Sequence, residues 1–118
     1  MDVSVRDSGN VTILDIRGKI LGGPESDPLR DAIDEVLDAG RARLLVNLTG
    51  VPWMNSAGLG ILLAAYTRLR EKGGEIRLYG VGDRVQGILR TTKLLTVLAV
   101  LADEEAGVRS FRPGPEPV

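Results

Sequence analysis

Hydrophobic positions along this chain switch repeatedly between two spacings, and the switches mark out its elements. Val3 and Val5 alternate with polar residues, and Asp7-Ser8-Gly9-Asn10 supplies a turn. Val11 to Arg17 follows as a second strand with Val11, Ile13 and Asp15 on one face, so the N-terminus reads as a hairpin. Gly18 and the Gly22-Gly23-Pro24 cluster break that pattern. A helix is expected to begin near Ser26 or Asp27, either of which can cap it. Pro28 is tolerated there because first-turn amides lack intrahelical acceptors. Leu29, Ile33, Val36 and Leu37 recur at helical spacing, Asp31, Asp34, Glu35 and Asp38 fall mostly on the outside, and Gly40 is a stop. That acidic face reads most simply as a solvated one.

Leu44-Leu45-Val46-Asn47-Leu48 predicts a short strand buried on both faces. Val51-Pro52-Trp53-Met54 leads from it into Asn55-Ser56-Ala57-Gly58-Leu59-Gly60. A second helix is predicted from about Ser56 to Lys72, with Leu59, Leu62, Leu63, Tyr66 and Leu69 as its core stripe. Arg68, Arg70 and Lys72 suit the negative end of its dipole, and Gly73-Gly74 ends it. Glu75 to Tyr79 reads as a strand, and Gly80-Val81-Gly82 as a turn. Asp83 with Gln86 resembles a capping box for a short helix through Arg90. Val97 to Leu101 is the expected last strand, and Asp103-Glu104-Glu105 opens a final helix to about Phe111. Residues 1–111 are expected to form one domain. Residues 112–118, with three prolines in seven positions, are expected to be a disordered tail. The order β-β-α-β-α-β-α-β-α predicts an α/β fold, a mixed sheet of about five strands packed with about four helices, antiparallel at its start.

Composition narrows the chemistry. At 118 residues the chain is one domain, and with 3% aromatics its core must be built from Leu, Ile, Val and Ala. A net charge of -1 argues against direct nucleic-acid binding while leaving room for a local basic patch. The chain has no cysteine and no histidine, which excludes disulfides and zinc-thiolate sites. Oxygen ligands alone suit magnesium or calcium weakly, so no metal and no cofactor are expected. Met1 to Asp7 lack an apolar leader core and no run approaches the roughly 18 residues of a membrane span, so a cytoplasmic protein without a membrane partner is expected. The Asn47-Leu48-Thr49 sequon carries no weight without a secretion signal.

Ser56 is the residue around which candidate chemistry gathers. It stands at a strand-to-helix turn, as a nucleophile elbow would, but Met54 occupies the place where the elbow wants glycine. No histidine exists to take its proton, and Lys19, Lys72 and Lys93 are tied to it by no motif. Gly58-Leu59-Gly60 and Gly80-Val81-Gly82 both lack the last glycine of a dinucleotide fingerprint, with Leu63 and Val85 in its place, and read better as turn and packing residues. Two readings of Ser56 stay open. It is a helix cap, or it is a phospho-acceptor whose phosphate would lie beside the free amides of Ala57, Gly58 and Leu59 at the positive end of the helix dipole. Trp53 is expected to pack at the strand end in preference to anchoring an interface, and Arg84, Arg90 and Lys93, clustered near the third helix, are expected to be solvated in preference to contacting an acidic partner.

Met54-Asn55-Ser56-Ala57-Gly58-Leu59-Gly60, an apolar helix behind it and Gly73-Gly74 together resemble the signature of STAS domains, and within them of anti-sigma factor antagonists. Gly18, Val46-Asn47-Leu48 and Lys93-Leu94-Leu95 agree with that family, and the resemblance runs from about Val3 to Phe111. It implies the STAS fold and a non-enzymatic partner switch. The unphosphorylated form binds an anti-sigma factor that is a serine kinase and so frees a sigma factor. Phosphorylation, which maps to Ser56, reverses this, and a serine phosphatase resets it. The partner surface maps to Asn55, Ala57, Gly58, Leu59 and the loop bearing Lys19, on a monomer or weak dimer. The alternative is a STAS interaction subunit of a signalling or transport assembly that is never phosphorylated. Two departures distinguish this chain: Asn55 stands where the family has Asp, and Gly18-Lys19-Ile20-Leu21 stands for Gly-x-Leu-Asp.

Overall fold

Alternation along the N-terminal residues makes a hairpin of β1 (Asp2–Ser8) and β2 (Val11–Arg17) in the computed structural model, which describes residues 1–94 and 97–111. The chain continues through α1 (Asp27–Asp38), β3 (Arg43–Gly50), α2 (Ser56–Glu71), β4 (Glu75–Tyr79), α3 (Asp83–Thr91), β5 (Ala99–Leu101) and α4 (Glu104–Ser110). Sheet order is β1-β2-β3-β4-β5; only β1 runs antiparallel to its neighbour, and the remaining pairs are parallel. The element order is the one the spacing predicts. The tail at 112–118 and Leu95 lie outside the described residues.

Period-two alternation divides β2 and β3 between two cores. Leu14, Ile16, Leu44, Val46 and Leu48 pack with α1, α2 and α3 through Leu29, Ile33, Leu59, Leu62, Leu69 and Leu89. Val11, Ile13 and Leu45 turn the other way and join Tyr79 and Phe111 beneath α4. Strand β2 is therefore buried on both faces, while β1 is the exposed edge, with Val5 45% accessible.

Three local expectations are corrected. Ser26 occupies the N-cap position of α1 without capping it, because its Oγ accepts from Gly22 N at 3.2 Å and pins the preceding loop instead. The N-cap of α3 is Gly82, not Asp83, which is already helical; Gln86 N donates to the Gly82 carbonyl at 2.8 Å. Strand β5 starts at Ala99 because the amides of Val97 and Leu98 turn back to the Leu94 carbonyl.

A polar row crosses the α4 side of the sheet. Asp15, Asn47 and Tyr79 lie in register on β2, β3 and β4. Asn47 Nδ2 donates to Asp15 Oδ1 at 2.7 Å, and the Tyr79 hydroxyl donates to Glu104 at 2.8 Å. Arg6 forks between Asp15 and Glu104, which ties the first turn of α4 to the edge strand. Hydrogen bonds from Arg6 hold both carboxyls below their ordinary values, helped by Tyr79 at Glu104 and by Asn47 at Asp15. Burial, then the Glu104 contact, pushes the Tyr79 hydroxyl up to about 12. Because both carboxyls are lowered on folding, their contribution is complete above the ordinary values of 3.8 and 4.5 and is lost as pH falls through the folded ones. Glu104→Gln is therefore expected to flatten the fall in melting temperature below about pH 5. The effect should be modest because Glu104 is 40% exposed. Parallel acid slopes for the two proteins would show that the pair contributes nothing.

Candidate functional site

Ser56 sits where the central strand ends. Beyond β3, residues 51–55 run beside the loop that follows β2. Gly18 N donates to the Gly50 carbonyl at 3.0 Å, Ile20 N to the Trp53 carbonyl at 3.1 Å, and Asn55 N to the Ile20 carbonyl at 3.3 Å. Ile20 and Met54 form a parallel bridge, and both side chains are fully buried. These contacts deliver Asn55 in an extended conformation to the start of α2.

Asn55, not Ser56, is the cap. Its Oδ1 accepts from Gly58 N at 2.8 Å and its carbonyl accepts from Leu59 N at 2.9 Å. A cap needs a non-helical backbone and an oxygen that reaches the amide two or three residues on, and Asn55 supplies both. Ser56 is already the first helical residue, is exposed, and its hydroxyl has no hydrogen bond among the described residues. The expected set of free amides shrinks accordingly. Those of Gly58 and Leu59 are spent on Asn55; those of Ser56 and Ala57 precede the first intrahelical bond and have no acceptor among the described residues. Asn55→Ala should cost about 1 kcal/mol in denaturant melts, whereas Asn55→Asp should retain the cap. A loss as large in Asn55→Asp as in Asn55→Ala would refute that assignment.

The two motif glycines have different tasks. A Cβ on Gly58 would overlap the Ile20 carbonyl oxygen and lie 2.6 Å from its carbon, so α2 rests directly on the 18–22 loop. Gly22, at φ +83°, approaches from that loop, where a Cβ would come within 2.5 Å of the Ala57 Cβ. Gly60 faces open space, with nothing within 4 Å of a Cβ. It joins Ala57, Ile61 and Ala64 along a shallow cavity of about 400 Å³ between α1 and α2, rimmed by Arg30 and Arg68.

Of the residues expected at a partner surface, Ala57 and Lys19 are exposed beside Ser56, and Asn55 is half-buried. Gly58 and Leu59, expected at the same surface, are buried beneath these residues at the start of α2. Trp53 is half-buried at the strand end, but Arg84 is not simply solvated. Its guanidinium carbon lies 4.9 Å from the centroid of the Trp53 ring. No spacing in the sequence joins the two, because α2 and β4 intervene before they meet.

The fold and this loop define an α/β domain with a mixed five-stranded sheet that displays a serine at a helix start. The STAS domain model matches residues 2–106, and the chain belongs to that family. It is 27% identical over 110 residues to the anti-sigma-B factor antagonist of Bacillus subtilis (strain 168), covering 92% of this chain and 98% of that protein. Its fold is similar to the crystal structure of an anti-sigma factor antagonist from Mycobacterium paratuberculosis, with a TM-score of 0.83 and 23% identity over 95% of this chain and 94% of that one. It is also similar to the Bacillus cell fate determinant SpoIIAA in its phosphorylated form, with a TM-score of 0.71 and 16% identity over 92% and 99% of the two chains. Among the described residues no helix is long and apolar enough to cross a membrane.

Proposed function

We propose that this chain is an anti-sigma factor antagonist that works as a phosphorylation-controlled partner switch. The observation that carries the reading is the state of Ser56. It is exposed at the first position of α2, and with Asn55 doing the capping its hydroxyl has no hydrogen bond among the described residues. The unphosphorylated form binds a kinase-type anti-sigma factor and frees the sigma factor. The kinase transfers the γ-phosphoryl group of ATP to Ser56 Oγ. The new P–O bond replaces the one to ADP, and the hydroxyl proton passes to a base on the kinase. The Ser56 and Ala57 amides and the helix dipole favour the added charge locally. A partner packed over Ala57 would meet nearly two negative charges and be expelled. A serine phosphatase restores the hydroxyl. The chain itself is read as a regulator and not an enzyme, since it has no histidine and no base bonded to Ser56 among the described residues.

The test is incubation with kinase-type anti-sigma factors from the same genome, with magnesium and ATP, followed by intact mass. One phosphoryl group is expected, and Ser56→Ala should abolish it. If the chain binds such a partner and its mass never changes, the second reading takes over: a STAS interaction subunit that is not phosphorylated. Asn55 favours that second reading, because it removes the negative charge that the family motif places beside the serine.

A further inference from the structure

We propose that Lys19, Trp53 and Arg84 form the docking site for an acidic segment of the partner protein. This rests on the reading that the Ser56 end of the domain meets a protein. Strand β3 lies between β2 and β4, so the loop bearing Trp53 is flanked on the β2 side by Lys19 and on the β4 side by Arg84, at the start of α3. Lys19 stands on the stretch that is hydrogen-bonded to residues 50–55. Neither cation pairs with a carboxylate among the described residues, whereas Arg6, Arg30, Arg41, Arg68, Arg77 and Arg109 each do.

The nearby acidic groups are not ion-paired with either cation among the described residues. Glu25 accepts from Gly23 N, and Asp27 pairs with Arg30. Asp83 opens α3, where a carboxylate suits the positive end of the helix. Asn55 and Leu21 add no charge. What remains is the chain's single Trp, half-buried, with an exposed guanidinium against its ring. Trp and Arg are the residues that most often dominate protein interfaces. The ring supplies rigid apolar area, and the guanidinium fork, oriented by the stack, can take a carboxylate in two parallel hydrogen bonds. Two cations on a chain of net charge -1 fit a short acidic peptide better than a nucleic-acid backbone. The sign also agrees with the switch. A phosphate on Ser56 would bring negative charge to the same end and oppose an acidic partner.

The full chain, labelled with nitrogen-15, would be titrated at low salt with a decapeptide of alternating glutamate and glycine. A lysine-glycine decapeptide and an oligodeoxythymidine of matched charge serve as comparisons. Saturating shifts are expected at Lys19, Arg84 and the Trp53 indole with the acidic peptide, and not at Arg43 and Arg70 on the opposite end of the sheet. Lys19→Ala and Arg84→Ala should each weaken binding by about fivefold, and about 0.3 M salt should do the same. Both side chains are exposed, and an unchanged amide spectrum elsewhere would confirm that the variants fold. No shifts, shifts spread equally to both ends, or tighter oligonucleotide binding at the same residues would overturn the proposal. If these shifts fail while Ser56 still accepts phosphate from a kinase, only the docking site falls. If they appear while Ser56 is never phosphorylated, only the switch falls.

Discussion

Gly58→Ala is expected to destabilise the domain by at least about 3 kcal/mol, while Gly60→Ala, two residues on, is expected to stabilise it by about 1 kcal/mol. The added methyl at Gly58 would collide with backbone, the carbonyl group of Ile20, and not with the end of a movable side chain. That carbonyl accepts the Asn55 amide, and the Ile20 amide is held by Trp53, so the loop cannot retreat without breaking the bonds that position the cap. Helix α2 would have to lift at its first turn, exposing Leu59 and Met54, which are now buried. At Gly60 the same methyl meets open space on an exposed face, and the gain is the usual helix preference for Ala over Gly. Urea melts of the two variants read both signs. A loss below about 1 kcal/mol for Gly58→Ala would mean that helix and loop are not in backbone contact. Gly60→Ala should also lower phosphorylation if the kinase packs closely over that face, a readout separate from stability.

This pair of glycines marks the boundary of what the sequence discloses. Elements were legible because each follows from a local period: alternation in β1 and β2, helical spacing from Leu29 to Leu37 and from Leu59 to Leu69, and Gly40 and Gly73 as stops. The motif could be placed at a strand-to-helix turn for the same reason. Yet Gly58 and Gly60 look alike as letters, and only the approach of the Ile20 carbonyl separates the one required for packing from the one left open. Asn55 and Ser56 are both good caps by residue type, and one residue of register decides which is outside the helix. Arg84 meets Trp53, and Arg6 meets Glu104, across intervening elements, so neither contact has a local signal. The consequence for the site is specific. The serine could be found in the sequence, but not that its hydroxyl has no hydrogen bond among the described residues, nor which of its neighbours lie on the surface.

Phe111→Ala is expected to cost about 3 kcal/mol and to release α4 while leaving Ser56 phosphorylation unchanged. The second core is small. Val11, Ile13, Leu45 and Tyr79 form its sheet side, and Phe111, 6% exposed, closes it where α4 ends. The ring also covers Arg77, whose guanidinium carbon lies 4.3 Å from its centroid and whose buried Nη1 has no hydrogen-bond partner among the described residues. Truncation would therefore lose apolar burial and the ring face that Arg77 lies against. Helix α4 has seven residues, too few to persist alone, and depends on docking. Gly107 fits it tightly to the sheet, with the Leu45 side chain 2.7 Å from where a Cβ would stand. Hydrogen exchange should show the α4 amides losing protection first, with those of α2 following only at global unfolding. The start of α2 belongs to the other core, through Leu59 and Met54, so under the proposed switch a kinase partner should modify Phe111→Ala at the wild-type rate at temperatures below its lowered melting point. Equal loss of protection in α2 and α4 would show that the two faces of the sheet unfold as one unit, and that α4 helps to hold the serine in place.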